Sequence, residues 1–169
     1  MLVIMERIIL KLIGIQMDLM QPLHECMNTK IVYKDRIPLS GSHRPLWPVY
    51  GEYIYLPPQR WLHSLEHGAA VFLYHPCADK EQIELLKQLA RNCLRKHIIT
   101  PYNKLQRSRP FAIVTWGCRL TMERLTDDAV YDAVTFIKVV YIRCFIFITQ
   151  CAYLGVLEIF KFFNCYQCF

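Results

Sequence analysis

The chain has 169 residues, of which 54% are hydrophobic and 20% charged, enough for one domain with a packed core and too few for two ordinary domains. Its formal net charge of +6 is modest, and no recognisable nucleic-acid module accompanies the basic residues, so nucleic acid is not an expected partner. A glycine-rich phosphate loop, a dinucleotide fingerprint and a G-x-S-x-G elbow are also missing from the sequence, which argues against the common nucleotide-dependent and serine-hydrolase classes.

Apolar residues concentrate at the two ends, which divides the sequence into residues 1–22, 23–138 and 139–169. The first part is an apolar segment that fits an imperfect secretion signal and an amphipathic helix equally well, because charges interrupt it and no small-residue cleavage site follows. The middle part has the composition of a globular domain. We therefore expect a single domain with two appendages.

The third part, residues 139–169, is an apolar tail that contains cysteines. Its uninterrupted run from Cys144 to Leu157 is shorter than the roughly 20 residues that a membrane span needs. Flanking charged side chains that reach toward the headgroups would lengthen it. The tail is predicted to be either a membrane helix or an apolar helix packed on the domain or on a partner.

The middle part opens with a predicted short strand, Ile31 to Tyr33, followed by a stretch rich in proline and aromatic residues. Proline lacks a backbone donor and resists both helix and central strand. The stretch therefore predicts an extended wrap whose rings pack onto the core. Its prolines are Pro38, Pro45, Pro48, Pro57 and Pro58, and its aromatic residues are Trp47, Tyr50, Tyr53, Tyr55 and Trp61.

Two helix–strand pairs are predicted next. Pro58 suits the first turn of a helix from Gln59 to His67, and Gly68 suits its C-terminal cap; a buried strand from Ala69 to Tyr74 follows. Asp79 is a typical N-cap for the second helix, whose apolar face is Ile83, Leu86, Ala90, Cys93, Leu94 and His97. A second buried strand, Phe111 to Trp116, comes after it.

A last helix is predicted from Asp127, with one apolar stripe of Val130, Ala133, Val134 and Ile137. The order of strands and helices predicts an α+β fold, a small single domain with a short mixed sheet, two main helices and the wrap rich in proline and aromatic residues.

The segment from His63 to His67 carries the clearest chemical signal. On a helix the two histidines lie one turn apart on one face, where they can hold one metal ion, with Glu66 beside them as a base. This is the inverted zinc-peptidase pattern HxxEH. Such an enzyme needs a third, distant acidic ligand, for which Glu123 is the main candidate.

A simpler metal site would add His43 or His75 to the pair, giving three imidazoles around zinc. The alternative is that these histidines hydrogen-bond to backbone and tyrosine groups and hold the wrap in place without metal. We favour the architectural role and a domain that is not an enzyme, with zinc as the cofactor of the alternative.

Four of the eight cysteines lie in the middle part, namely Cys26, Cys77, Cys93 and Cys118. An even number of cysteines in a small domain suits disulfide bonds in an oxidising compartment. Cysteine also packs as a small apolar residue when it stays reduced. We expect disulfides among the four and leave their connectivity open.

Several blocks of the sequence together resemble domain of unknown function 3105. They include IPLSGSH at Ile37–His43, GEY at Gly51–Tyr53 and HSLEHGAA at His63–Ala70. Closer similarity to the animal branch, a membrane protein inducible by a tumour suppressor, is carried by HRPLWP at His43–Pro48, LPPQRW at Leu56–Trp61, LYHPC at Leu73–Cys77, HIITPY at His97–Tyr102 and WGCRL at Trp116–Leu120.

The resemblance implies a membrane-associated or extracellular domain on a single-pass protein, with Cys26, Cys77, Cys93 and Cys118 as its disulfide cysteines. It implies no reaction and no ligand, and it links the animal branch to restraint of cell growth. We therefore expect a binding or interaction domain with a protein partner, associated with the membrane through residues 139–169. A cytoplasmic location is the alternative, because the start of the chain departs from a clean signal.

Overall fold

The structure is a computed structural model that describes residues 22–149, the last nine of them by backbone alone. Within this range the chain forms five strands and three helices. The predictions for residues 1–21 and 150–169 lie outside the described residues. In chain order the elements are β1 Gly51–Glu52, α1 Pro58–Glu66, β2 Ala70–Tyr74, α2 Lys80–Cys93, β3 His97–Pro101, β4 Phe111–Thr115, β5 Cys118–Met122 and α3 Asp127–Thr149.

The five strands form one mixed sheet in the order β1-β3-β2-β4-β5. β3 pairs in parallel with both β1 and β2, whereas β2–β4 and β4–β5 are antiparallel. Helix α2 makes the crossover that a parallel β2–β3 pair requires. The predicted α+β fold with a short mixed sheet is confirmed.

Both faces of the sheet are buried, so the central strands carry apolar residues at almost every position. Alternate side chains point to opposite faces. Phe72 and Ile113 pack with α2 and α3 on the first face. Val71 and Val114 pack on the second face with Trp61 and other residues of α1 and the wrap. The sheet therefore lies between two apolar clusters, one on each of its faces.

The predicted helix boundaries are confirmed where the sequence carries local signals. Helix α1 begins at Pro58, and Gly68 after it has a φ of 76°, a conformation that favours glycine. The carboxylate of Asp79 accepts a hydrogen bond from the backbone N–H of Gln82 at 3.0 Å and caps α2. Helix α3 begins at Asp127 as expected.

Several local predictions were wrong. Ile31–Tyr33 is not a strand. Leu94 has extended backbone angles that end α2 at Cys93, so His97 begins β3 rather than continuing the helical face. Strand β5 was missed, because its pattern of partly buried residues is weak.

The aromatic wrap is only partly packed on the core. Trp61 is fully buried, and Tyr53 packs against the second-face cluster. Trp47, Tyr50 and Tyr55 are exposed instead. Prolines fix the backbone of this stretch but do not decide which side of it faces the core, so the prediction that the rings pack inward was wrong for these three.

Among the described residues, no disulfide joins Cys26, Cys77, Cys93 and Cys118, in contrast to the pairing we expected. Cys26 and Cys77 lie on the surface. Cys93 and Cys118 pack against the first-face cluster, which fits the role of cysteine as a small apolar side chain. Between residues 22 and 149, no helix combines the length and apolarity needed to cross a bilayer.

Candidate metal centre

Helix α1 carries two of the site residues on the flank that faces away from the sheet. Trp61, Leu62 and Leu65 bury its inner face in the second-face cluster. His63 and Glu66 lie on the other side, three residues apart, where helical spacing places them next to each other. Packing of the inner face therefore fixes where this flank points.

The wrap brings His43 to that flank, where its side chain is fully buried. Gly41 has a φ of 114°, a turn that lets its carbonyl accept a hydrogen bond from the His43 ring Nδ1 at 2.9 Å. The hydroxyl of Tyr33 donates to the carbonyl of Ser42 at 2.7 Å. Burial raises the pKa of Tyr33 to about 12, so that hydroxyl stays a donor.

An N-terminal arm, which we define as residues 22–32, adds a third histidine. His24 and His43 form an isolated parallel bridge, with hydrogen bonds from Glu25 N to His43 O at 2.9 Å and from His43 N to Leu23 O at 3.0 Å. The Arg44 guanidinium donates to the carbonyls of three arm residues, Glu25, Cys26 and Thr29. These contacts place His24 over α1.

Four potential ligand atoms converge as a result. One atom from each of His24, His43, His63 and Glu66 lies within 4.8 Å of all the others. Glu66 Oε2 is 3.0 Å from His43 Nε2 and 3.7 Å from His24 Nε2. The ring centroids of His24 and His63 are 4.7 Å apart, and those of His43 and His63 are 4.9 Å apart. We call these four residues the His3Glu cluster.

Hydrogen bonds to the backbone set the tautomers of two of the rings. His43 Nδ1 lies 2.9 Å from the Gly41 carbonyl, and His63 Nδ1 lies 2.8 Å from the Arg44 carbonyl. A carbonyl only accepts, so each Nδ1 carries a proton, and in the neutral ring each Nε2 presents a lone pair to the cluster. Histidine ligands of metal ions are oriented in this way by a second hydrogen bond.

A positive charge, on the ring or on a bound cation, would stabilise the close approach of His43 Nε2 and Glu66 Oε2. Neutral His43 directs its Nε2 lone pair at a carboxylate oxygen 3.0 Å away, and two acceptors at that distance repel each other. Burial is the main effect on the pKa of His43 and lowers it below 6.5, so the ring resists the proton that would relieve the repulsion. A bound cation relieves it without protonating the ring.

His67 lies beside the cluster rather than in it. Its Nε2 is 3.1 Å from His63 Nε2, where it can donate to the lone pair of His63. Burial, followed by the neighbouring His63, lowers the pKa of His67. Trp47 packs edge-on to both rings, with its centroid 4.7 Å from that of His67.

The structure brings together part of the predicted site. His43, His63 and Glu66 lie in the cluster, whereas His67, which the metal hypothesis paired with His63 as a ligand, lies beside it. His75 does not join them, because it lies at the end of β2 and its Nδ1 accepts from the Cys77 backbone N–H at 3.0 Å. Glu123 follows β5 at an exposed position and is outside the cluster, so the predicted third ligand of a zinc peptidase is not in place.

His24 was missed by the sequence reasoning. It stands alone in its segment, and the bridge that carries it to His43 pairs backbone 19 residues apart. Four of the six histidines of the chain, at positions 24, 43, 63 and 67, form one group of neighbouring rings. The number of histidines in a chain of this length was the only available signal.

The donor set of the cluster, three imidazoles and one carboxylate, suits zinc and the neighbouring divalent transition metals. Tetrahedral zinc with bonds of about 2.0–2.1 Å separates its ligand atoms by roughly 3.3 Å. The distances of 3.0 and 3.7 Å from Glu66 Oε2 to the two imidazole nitrogens lie on either side of that value. Ligand atoms elsewhere in the cluster lie up to 4.8 Å apart, so the side chains would have to draw closer to complete a tetrahedral site.

Comparison with known proteins yields one family. A family model described as a protein of unknown function, DUF3105, matches residues 24–140. The match begins at His24 and includes all four residues of the cluster. No curated protein matches the chain, and no solved structure does.

Proposed function

We propose that the chain, which belongs to the DUF3105 family of proteins of unknown function, binds a divalent transition metal ion, with zinc the best fit, through His24, His43, His63 and Glu66. The observation that carries the proposal is the convergence of their four ligand atoms within 4.8 Å. The two rings anchored through Nδ1 add to it, because they direct lone pairs into the cluster where one of them meets a carboxylate.

The protein environment favours a metal over an architectural role for these histidines. Hydrogen bonds to backbone explain one nitrogen of His43 and one of His63. They leave the repulsive contact of His43 Nε2 with Glu66 unexplained. A metal ion accounts for both nitrogens of His43, and it pairs the partly buried carboxylate with a positive charge.

Zinc titration followed by calorimetry tests the proposal. The full chain, stripped with a chelator, is expected to bind one zinc ion, and His63→Ala is expected to bind it more weakly, by more than the roughly 10- to 100-fold that loss of an outer-shell partner costs, while keeping its circular dichroism spectrum. His75→Ala is the matched control, because it removes a buried histidine outside the cluster. Equal zinc binding by the parent and by His63→Ala would refute the proposal.

A second candidate function is an interaction domain, as predicted from the resemblance. Its support is a set of exposed apolar side chains on either side of β1, where Val49 is 80%, Ile54 96% and Tyr55 69% exposed. Clustered exposed apolar side chains mark interaction sites more often than isolated ones do. A protein partner, extracytoplasmic location, membrane association through residues 139–169 and the link to growth restraint are parts of this candidate.

A photo-crosslinking residue at position 54 tests it in cells, with the exposed polar position 103 as control. If the segment around β1 is an interaction surface, we expect a discrete crosslinked product from position 54 that is absent from position 103. Identical product patterns from the two positions would count against a dedicated surface in this segment.

A further inference from the structure

The N-terminal arm is attached to the domain by hydrogen bonds and by the contacts of the His24 ring. None of residues 22–32 is buried, and none belongs to either hydrophobic cluster. Its apolar side chains face solvent, with Leu23 66%, Met27 70% and Val32 74% exposed. The arm is held by the bridge to His43, by the Arg44 guanidinium, and by His24, whose ring stacks on His63 and whose Nε2 lies 3.7 Å from Glu66 Oε2.

The His3Glu cluster joins this arm to two other segments. His24 comes from the arm, His43 from the wrap, and His63 and Glu66 from α1. The His24 side chain is 46% exposed, compared with 0% for His43. The arm therefore supplies the ligand that is least fixed by packing.

Building on the proposed metal binding, we infer that the metal ion latches the N-terminal arm onto the domain, so that metal occupancy controls whether the arm is docked. When a metal ion binds ligands from separate segments of a chain, its binding free energy also stabilises the arrangement in which those segments are together. A hydrogen bond from a charged guanidinium is stronger than one between neutral groups, so a metal bond through His24 would add to the Arg44 contacts that already hold the arm.

A cavity of about 510 Å³ lies beside the site, and residues of the arm form part of its lining. Its lining includes Lys30, Ile31 and Val32 of the arm, together with Trp116 and Gly117. Its size falls in the range of small-molecule pockets, about 300–1,000 Å³. Release of the arm would remove these three arm residues from the lining, so metal occupancy would also determine whether the cavity keeps its full lining.

Amide hydrogen exchange of the full chain, with and without zinc, tests the inference. Zinc held at ten times its dissociation constant should slow exchange in peptides from residues 22–32 by roughly tenfold, because it shifts the docked population by that factor. Peptides from the buried strand β4 serve as an internal reference and should not change.

The His24→Ala variant separates the latch from metal binding itself. It keeps three of the four ligands, so at saturating zinc it should still bind the ion, while the arm exchanges at its metal-free rate. Calorimetry on the same samples reports occupancy. Bound zinc with unchanged exchange of the arm in the parent would overturn the latch and leave the metal site standing. An arm protected by zinc in His24→Ala would overturn the latch as well, whereas a parent that binds no zinc would overturn the proposed function.

Discussion

Replacement of Glu66 by glutamine should change stability and metal binding in opposite directions. Glu66 Oε2 lies 3.0 Å from His43 Nε2, which carries a lone pair when the ring is neutral. A glutamine amide can turn its NH2 toward that nitrogen, which replaces a repulsive contact by a hydrogen bond. Glu66 is also the last residue of α1, where a negative charge opposes the helix dipole.

The expected gain in the free energy of unfolding is about 0.5–1.5 kcal/mol, the net value of one hydrogen bond. With a urea m-value of roughly 2 kcal/mol per molar, the unfolding midpoint would rise by about 0.3–0.7 M. Zinc affinity should fall instead, by more than the roughly 10- to 100-fold that loss of an outer-shell partner costs, because a direct ligand is removed.

Urea unfolding in the presence of a chelator measures the first effect, and competition with a chromophoric chelator measures the second. Glu123→Gln is the matched control, since it neutralises an exposed glutamate outside the cluster and should change neither quantity. A metal-free Glu66→Gln protein that is less stable than the parent would show that His43 is a protonated partner of Glu66. Unchanged zinc affinity would remove Glu66 from the ligand set.

His67→Ala should raise zinc affinity by about 2- to 10-fold, because it removes a donor that competes for the His63 Nε2 lone pair; a fall in affinity by calorimetry would make His67 a ligand. The hydrogen bond from Lys87, reinforced by nearby positive charges and opposed by burial, holds the pKa of Glu52 below 4.5. Glu52 therefore stabilises the fold above its unfolded pKa, and this contribution disappears as the pH falls through the depressed folded value. Glu52→Gln should flatten the fall of the urea midpoint below about pH 4.5, and an unchanged acid profile would contradict this assignment. Asp79→Ala should cost about 1 kcal/mol in urea unfolding, because it removes the N-cap of α2; a loss near zero would show that the cap contributes nothing to stability.

The fold was predictable where one or two residues determine the local backbone. Pro58, Gly68 and Asp79 mark helix ends through backbone geometry and capping, which need no tertiary context. The runs that became β2 and β4 are apolar at nearly every position because both faces of the sheet are covered. β3 escaped notice because His97 continues the spacing of the α2 face, and only the extended backbone at Leu94 breaks it.

The candidate site was predictable to the extent that it lies on one helix. His63, Glu66 and His67 follow from helical spacing. The addition of His43 was one of two options, and only the fold distinguishes it from His75. His24 depends on strand-like pairing of the arm with the wrap and on the Arg44 side chain, and neither has a local sequence signature.

X-ray absorption at the zinc edge of the zinc-loaded full chain reports the ligands of the bound ion. We expect one zinc ion with nitrogen and oxygen neighbours at about 2.0–2.1 Å and the outer scattering of three imidazoles, reduced to two in His24→Ala. Sulfur neighbours at about 2.3 Å would place the ion on cysteines instead, and imidazole scattering unchanged by His24→Ala would contradict the proposed ligand set.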